Sequence, residues 1–297
     1  ANHLTRREVL KTAAIGAVTL PFLNQSLWSA EPSSAAMKKG GGRMRGPGYE
    51  SGLRLGVATY STRTMSLDDS IAVVKAVRIV NVNVFRSHLN LETGSIEQCK
   101  AVNDKLKAAG LIFNSTGVTN LPNDEAKIRK AFENARAVDM PVLVCKPVLA
   151  ALPLLDKLVK EYDLKLAIHN HGPEDAVYPS PYDVWKAVQS FDARIGLCID
   201  VSHTLRAGVD SAETIRKCAS RLYDVHLKDT EAIAGATRDI PIEQGAGRID
   251  TRGILIALLA IQYSGVVTYE YEKEVANPAI GLAESLGYLR GMLKALA

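Results

Sequence analysis

The 297-residue chain has little cysteine, and its cysteines are widely spaced. No two of the four cysteines have the C-x-x-C spacing that is typical of structural zinc sites and dithiol redox centres. The cysteines are Cys99, Cys145, Cys198 and Cys218. We therefore interpret them as buried thiols rather than as disulfides or thiolate metal ligands. The first strand-like run, LGVATYSTR, also lacks the G-x-G-x-x-G turn of dinucleotide-binding sheets, which argues against a doubly wound open sheet.

Most of the chain has no net charge. The formal charge of +4 comes from residues 1–50, which hold seven Lys or Arg and three Glu. The remaining residues, 51–297, carry 29 charges of each sign. A body without a positive field does not attract phosphate backbones or anionic membrane surfaces, so nucleic acid is not an expected partner.

The apolar segment near the N-terminus, residues 12–23, is too short to span a bilayer comfortably. It follows TRREVLK (residues 5–11), which resembles a twin-arginine export signal with Val9 where Phe is common. We predict a signal peptide over residues 1–36, a Gly-rich linker over residues 37–50, contact with the twin-arginine translocation machinery and a periplasmic location. An ordinary amphipathic N-terminal helix is the alternative.

From residue 51 onward, short β-rich apolar runs alternate with segments of helical periodicity. Eight strand–helix units have the size and rhythm of a (β/α)8 TIM barrel. The sequence therefore predicts an α/β fold with one barrel catalytic domain over residues 51–297. The predicted strands are residues 53–59, 82–86, 111–116, 142–145, 166–169, 195–199, 222–227 and 266–269.

Polar side chains stand at the ends of the predicted strands. The carboxyl ends of barrel strands open on one face, and active sites lie there. Side chains alternate along a strand, so His169 and His171 face the same way. Imidazoles and carboxylates placed in this way are what a divalent-metal site needs. The residues that can bind a metal or carry a proton are His169, His171, Asp200, His203, His226 and Glu270, and further strand-end residues are Arg86, His88, Lys146 and Lys228.

Together, four segments resemble the xylose isomerase-like barrels, a superfamily of sugar isomerases, epimerases and inosose dehydratases with endonuclease IV as a relative. The similarity covers essentially all of residues 51–297, and the "sugar phosphate isomerase/epimerase" group is the nearest match. That group name does not specify a reaction. The segments are HNHGPED (169–175), GLCIDVSHTLRAGVD (196–210), YDVHLKD (223–229) and GVVTYEYEKE (265–274).

The resemblance implies one divalent metal held by Glu, Asp, His and Glu from strands five to eight. The matching residues here are His169, Asp200, His226 and Glu270, so His169 stands where the family has its first Glu. His171 is the alternative fourth ligand. Two imidazoles and two carboxylates suit Mn²⁺ first, with Zn²⁺, Co²⁺ or Fe²⁺ as alternatives, and are more nitrogen-rich than Mg²⁺ usually prefers.

The histidine at position 169 bears on the expected chemistry. Ketose 3-epimerases of the family use two metal-bound carboxylates on opposite faces of the sugar, and one of them is missing here. The resemblance still implies a metal-dependent isomerase or epimerase that removes a proton beside the carbonyl of a keto-sugar or cyclitol, through a metal-stabilised enediolate. The expected acid–base residues are Glu270, His203, His171 and Glu174, and the expected substrate-binding residues are His88, Arg86, Lys146 and Lys228.

Other functions stay open at this point. A 3-keto-glycoside lyase or hydrolase, or an inosose dehydratase-like carbon–oxygen lyase, would use the same enolisation. A non-catalytic carbohydrate-binding barrel is the alternative of another class. An endonuclease IV-like function is excluded because its three-metal cluster needs further ligands after the third and seventh strands, where this chain has NSTGVTN (114–120) and no histidine after Asp229. The oligomeric state also stays open, a homo-oligomer included.

Several strand-end residues have structural interpretations too. The charged cluster could be a hydrogen-bonded network without metal, and Lys228 could pair with Asp229. Glu272 and Glu274 are interpreted as a solvated face. The turn at residues 245–247 lies where some barrels bind phosphate, but two glycines are a weak signal. With the predicted export and the neutral body, we expect a sugar without phosphate.

Overall fold

The structure, a computed structural model, describes residues 48–297 of the chain. Its strands are β1 (Tyr49–Glu50), β2 (Leu53–Ala58), β3 (Asn81–Val84), β4 (Ile112–Thr116), β5 (Thr119–Leu121), β6 (Val142–Pro147), β7 (Lys165–His169), β8 (Ile195–Asp200), β9 (Leu222–Leu227), β10 (Asp229–Thr230), β11 (Pro241–Ile242) and β12 (Val266–Tyr269). Its α-helices are α1 (Leu67–Ala76), α2 (Ile96–Ala108), α3 (Glu125–Arg136), α4 (Leu152–Tyr162), α5 (Pro181–Val188), α6 (Val201–Arg206), α7 (Ser211–Lys217), α8 (Thr251–Ala260) and α9 (Ala279–Ala295).

Parallel strands form a barrel in the order β4-β3-β2-β12-β9-β8-β7-β6-β5. β4 and β5 are separated in sequence by Gly117 and Val118 alone, so both ends of this path belong to one barrel strand that is broken in the middle. Counting them together gives eight strands, and the predicted TIM barrel is confirmed. The short hairpin of β10 and β11 lies outside the barrel sheet.

Local sequence signals set several of the helix ends. Ser66 is the N-cap of α1, and its Oγ accepts a hydrogen bond from Asp69 N at 3.1 Å. α2 begins with a capping box between Ser95 and Gln98. It ends just before Gly110, whose φ of 75° is a left-handed conformation that glycine adopts without strain. These signals determine where α1 begins and where α2 begins and ends.

The main apolar core lies between the strands and the surrounding helices and buries the outer face of the parallel sheet. The inside of the barrel is partly polar instead. Asp224 accepts hydrogen bonds there from Ser115 Oγ at 3.1 Å and from Thr268 Oγ1 at 3.2 Å. The barrel interior is therefore a packed, hydrogen-bonded floor beneath the open end of the strands.

The predicted signal peptide and most of the predicted linker lie outside the described residues. Tyr49 and Glu50, at the end of the predicted linker, form β1 and pair antiparallel with β2. Within residues 48–297, no helix has the length and apolar character needed to cross a membrane.

Candidate metal centre

The ends of four neighbouring strands bring the predicted ligands together. Asp200 on β8 is the cross-strand partner of His226 on β9. His169 Nε2 lies 3.2 Å from His226 Nδ1 and 3.5 Å from Asp200 Oδ2. Glu270, directly after β12, places Oε1 at 3.0 Å from His226 Nδ1. All four side chains are buried, so the structure forms the predicted cluster, and metal binding by it stays a prediction.

The cluster contains polar atoms without hydrogen-bond partners. His169 Nδ1 and His226 Nε2 are buried and make no hydrogen bond, whereas the buried Asp200 Oδ2 is compensated by an ion pair with Lys228. Such atoms are uncommon in folded proteins because their desolvation is not compensated. One atom each from Asp200, His226 and Glu270 also lies within 4.8 Å of the other two. Imidazole nitrogen with carboxylate oxygen is a donor set that fits a divalent transition metal, so the residues present fit the implied cofactor.

Lys228 places its ammonium among the carboxylates of the cluster. Its Nζ lies 3.0 Å from Asp200 Oδ2, 3.2 Å from Glu270 Oε2 and 2.7 Å from Glu272 Oε1. The expected pairing of Lys228 with Asp229 is therefore wrong. The interpretation of Glu272 as a solvated residue is wrong too, because its side chain is largely buried against this ammonium. Glu274, by contrast, is exposed.

The negative charges of the cluster outnumber its positive charges, so a bound cation would be stabilised there. Three carboxylates, those of Asp200, Glu270 and Glu272, face the single ammonium of Lys228. Burial lowers the pKa of His226, but Cys198 and Glu270 outweigh that effect and raise the pKa well above its usual value. Conversely, burial raises the pKa of Glu270, but His226 and Lys228 hold it well below its usual range. A divalent metal would replace the proton on His226 and offset the remaining negative charge.

Two more histidines border the cluster. The ring of His171 lies 4.5 Å from the ring of His169, and its side chain is partly exposed. Burial, together with His169 and Lys146, lowers the pKa of His171 to about 3, so the imidazole is neutral near pH 7. On α6, His203 Nε2 lies 4.0 Å from Asp200 Oδ2, and burial holds the pKa of His203 well below its usual value.

Other predicted site residues lie further out. Glu174 forms a bidentate ion pair with the buried Arg206, at 2.7 and 2.8 Å, which directs its carboxylate away from proton transfer in this conformation. His88 Nδ1 is hydrogen-bonded to Thr59 Oγ1 at 2.8 Å, and His88 lines a separate cavity of about 530 Å³ beside the centre. Arg86 is exposed and borders this cavity and also a second cavity, which opens above the cluster. Lys146 forms an ion pair with the buried Asp175 at the mouth of the centre.

A cavity of about 460 Å³ opens above the cluster and is large enough for a sugar unit. Sequence reasoning missed three of its polar lining residues: Tyr60, Asn120 and Asp239. Tyr60 follows β2, so the strand-end rule would have found it. Asn120 lies in β5, beyond the predicted end of the third strand at residue 116, so the rule would not have found it. Asp239 lies in the loop between β10 and β11, where no local pattern marks a functional residue.

The glycine turn at residues 245–247 is already occupied by a side chain of the protein. Gly245 N and Gly247 N donate hydrogen bonds to Asp229 Oδ2 at 2.8 and 3.2 Å, and Ile249 N donates to Asp229 Oδ1 at 3.0 Å. Backbone donors that could have cradled a phosphate therefore bind an internal carboxylate.

Fold and site together define a TIM barrel with a cluster of imidazoles and carboxylates at the carboxyl ends of its strands. The chain belongs to the xylose isomerase-like TIM barrel family, whose model matches residues 67–292. No functionally curated protein matches the chain.

Solved structures similar to this chain share the fold at low identity. The 3-keto-D-glucoside 4-epimerase of E. coli, in its apo form, is 14% identical, with a TM-score of 0.65, and the match covers 80% of this chain and 99% of that one. A D-psicose 3-epimerase determined in the presence of D-fructose is 15% identical, with a TM-score of 0.65 and coverage of 80% and 98%. The probable 3-DHS dehydratase of Bacillus anthracis is 12% identical, with a TM-score of 0.64 and coverage of 79% and 98%. At these identities the likeness concerns the fold.

Proposed function

We propose that this protein is a divalent-metal-dependent isomerase or epimerase that acts on a keto-sugar or cyclitol without phosphate. The observation that carries the proposal is the convergence of His169, Asp200, His226 and Glu270 at the barrel mouth, with two buried ring nitrogens that lack hydrogen bonds. When bound there, the metal would polarise a carbonyl and the hydroxyl on the next carbon, which acidifies the C–H of that hydroxyl-bearing carbon. Mn²⁺ is the proposed metal.

The residues around the cavity have distinct roles in this proposal. Glu270 and His171 stand on different walls of the cavity, on the β12 and β7 sides, so each can reach one face of a bound sugar. Glu270 takes a proton, and the neutral imidazole of His171 exchanges one on the other wall. Lys228, held by carboxylates, is placed to stabilise the developing enediolate oxygen. Asn120 and Lys146 offer hydrogen bonds to hydroxyl groups.

A carbon–oxygen lyase acting on a 3-keto-glycoside or a cyclitol is the second candidate. It is favoured by His169, since an imidazole stands in place of the carboxylate that would serve the second face in an epimerase. Proton removal would then be followed by loss of water or an alkoxide instead of reprotonation. The named functions of the similar structures, an epimerase of a 3-keto-glucoside and a dehydratase, agree with this pair of candidates.

Solvent exchange tests the proposal directly. Mn²⁺-loaded protein is incubated in deuterated water with ketohexoses, 3-keto-glucosides and inososes, and NMR follows deuterium entering the substrate and any new product. We expect exchange at a carbon beside the carbonyl, lost in Glu270→Gln and kept in Glu274→Gln, which alters an exposed glutamate nearby. Stoichiometric metal with no exchange in any substrate would overturn the enzymatic proposal in favour of a carbohydrate-binding barrel.

A further inference from the structure

A thiol lies directly beneath the candidate metal centre. Cys198 is the cross-strand partner of His169 in the pairing of β7 with β8. It precedes Asp200 by two residues on the same strand, so both side chains point into the barrel. Cys198 Sγ and one ring nitrogen from each of His169 and His226 lie within 4.8 Å of one another. All three residues are buried, and Cys198 is only 1% exposed.

The two imidazoles of this group have nitrogens that no other residue uses. His169 Nδ1 and His226 Nε2 are buried without a hydrogen bond, and His226 is completely shielded from solvent. Each neutral imidazole keeps one nitrogen that can bind a metal. Two imidazole rings with unpartnered nitrogens, beside a buried thiol, form an arrangement that a thiophilic cation would complete, since sulfur and imidazole are the ligands that zinc and cadmium prefer.

We propose that Cys198, His169 and His226 form a second, deeper cation position that takes a soft divalent metal, Zn²⁺ or Cd²⁺. Zinc bonds of about 2.3 Å to sulfur and about 2.0–2.1 Å to nitrogen place tetrahedral ligand atoms roughly 3.5 Å apart, so modest side-chain shifts close the set. The Cys198 thiol and the protonated His226 both release a proton to solvent as the metal bonds form. Asp200 Oδ2, 3.5 Å from His169 Nε2, is within reach as a fourth ligand.

The deeper position shares His169, His226 and Asp200 with the metal centre of the proposed function. The inhibition described next therefore rests on the proposed function. A soft metal bound through Cys198 withdraws His169 and His226 from the oxygen-rich set formed with Asp200 and Glu270. Mn²⁺ favours oxygen ligands and would take the upper position only when no soft metal is bound through Cys198. Zn²⁺ or Cd²⁺ would therefore inhibit the Mn²⁺ form by occupying the deeper position.

Cadmium is the probe for this position. Metal-free full-length protein is titrated with Cd²⁺ while the ultraviolet sulfur-to-cadmium charge-transfer absorption is recorded. We expect a band that saturates at equimolar Cd²⁺, is lost in Cys198→Ser and Cys198→Ala, and is kept in Cys145→Ser, which alters an equally buried thiol outside the group. A band that survives both Cys198 variants, or no band in the wild type, overturns the inference.

Two further measurements keep the test independent of folding and of turnover. X-ray absorption of the Zn²⁺-loaded wild type should show one sulfur neighbour at about 2.3 Å, and nitrogen and oxygen neighbours alone would overturn the inference. Glu270→Gln should keep the cadmium band. Loss of the band in this variant would mean that Glu270 and Cys198 belong to the same metal site, which would refute a separate deeper position. If solvent exchange depends on Glu270 but no cadmium band forms, the proposed function is supported and the deeper cation position is refuted. If the cadmium band forms but no substrate shows solvent exchange, the deeper cation position is supported and the proposed function is refuted.

Discussion

Lys228 Nζ lies 3.0 Å from Asp200 Oδ2, at the point where the predicted metal ligands converge. The ammonium therefore holds a carboxylate that a divalent cation would use. Both cations act on the same negative charge, and each weakens the attraction of the other to it. This relationship connects the stability of the metal-free barrel to its affinity for metal.

Replacing Lys228 by Met should tighten metal binding. An ammonium and a divalent cation about 4 Å apart at an effective dielectric of about 20 repel by on the order of 8 kcal/mol. The lost attraction to the ammonium's carboxylate partners is regained by the metal, so we expect at least about tenfold tighter binding of Mn²⁺. Isothermal titration calorimetry measures the affinity, and Lys273→Met, which removes an exposed lysine away from the centre, is the matched control. Unchanged or weaker binding in Lys228→Met would show that the ammonium does not compete with the metal.

The same substitution should destabilise the protein when no metal is present. Without Lys228, the carboxylates of Asp200, Glu270 and Glu272 lose their shared partner in a buried site. Removing one partner from a buried ion pair typically costs about 3–5 kcal/mol. We expect a clear fall in the thermal midpoint of the metal-free variant that saturating Mn²⁺ restores in part.

Substitutions of His169 and His171 should have different effects on metal binding and turnover. His169 is buried within the cluster, whereas His171 is partly exposed and directed towards Asp175, 3.7 Å from its Nδ1. His169→Ala should abolish stoichiometric metal binding, and His171→Ala should retain the metal while losing about 10²–10⁴-fold in turnover, the usual contribution of a general acid or base. Elemental analysis and solvent-exchange rates measure the two effects. Metal loss in His171→Ala with retention in His169→Ala would exchange their roles.

The barrel and much of the centre could be predicted from the sequence because both depend on local patterns. Parallel strands buried on two faces give continuous apolar runs, and the first polar residue after each run marks the open end of the barrel. His169, Asp200, His226 and Glu270 were found in this way. The broken third strand was not, since nothing in NSTGVTN shows that pairing changes from β3 to β6 on either side of Gly117.

Relationships between distant residues were harder to foresee. Asp229 was the expected partner of Lys228 because the two residues are adjacent in sequence. Side chains alternate along β9 and the residues that follow it, so the Lys228 side chain points into the barrel on the same side as His226. Cys198 shows the same limit. Strand-like sequence correctly indicated a buried thiol, but its proximity to His169 depends on the register between β7 and β8, which no single segment encodes.

Two glycines should respond in opposite ways to alanine. A Cβ on Gly196 in β8 would collide with the carbonyl oxygen of Arg221 and with the ring of Tyr223, so strands β8 and β9 would have to move apart. We expect Gly196→Ala to lower the free energy of unfolding by about 1–3 kcal/mol or more. Gly287, inside α9, has open space around it, and Gly287→Ala should stabilise by about 0.4–1 kcal/mol. Urea unfolding measures both, and a tolerated Gly196→Ala would contradict the close approach.

The ion pair of Glu243 with Lys273 should make stability depend on acid pH. Lys273 Nζ lies 2.6 Å from Glu243 Oε2, and Tyr271 donates a hydrogen bond to Oε1 at 2.9 Å. Chiefly because of Lys273, the pKa of Glu243 lies below its usual 4.5 in the folded protein. A lowered carboxyl pKa stabilises the fold above the unfolded pKa, and this contribution is lost as pH falls through the folded pKa.

Glu243→Gln should therefore reduce stability most near neutral pH and least in acid. The unfolded chain binds the proton first as pH falls, so the wild type loses this contribution below about pH 4.5 while the variant never has it. Urea unfolding at neutral pH and at a pH below the folded pKa gives the difference between the two proteins, and Glu274→Gln, which alters an exposed glutamate, should show no such trend. A difference that stays constant across the acid range would mean that Glu243 titrates alike in the folded and unfolded chains, and that its contacts with Lys273 and Tyr271 are too weak in solution to hold the loop after β12 against the loop after β11.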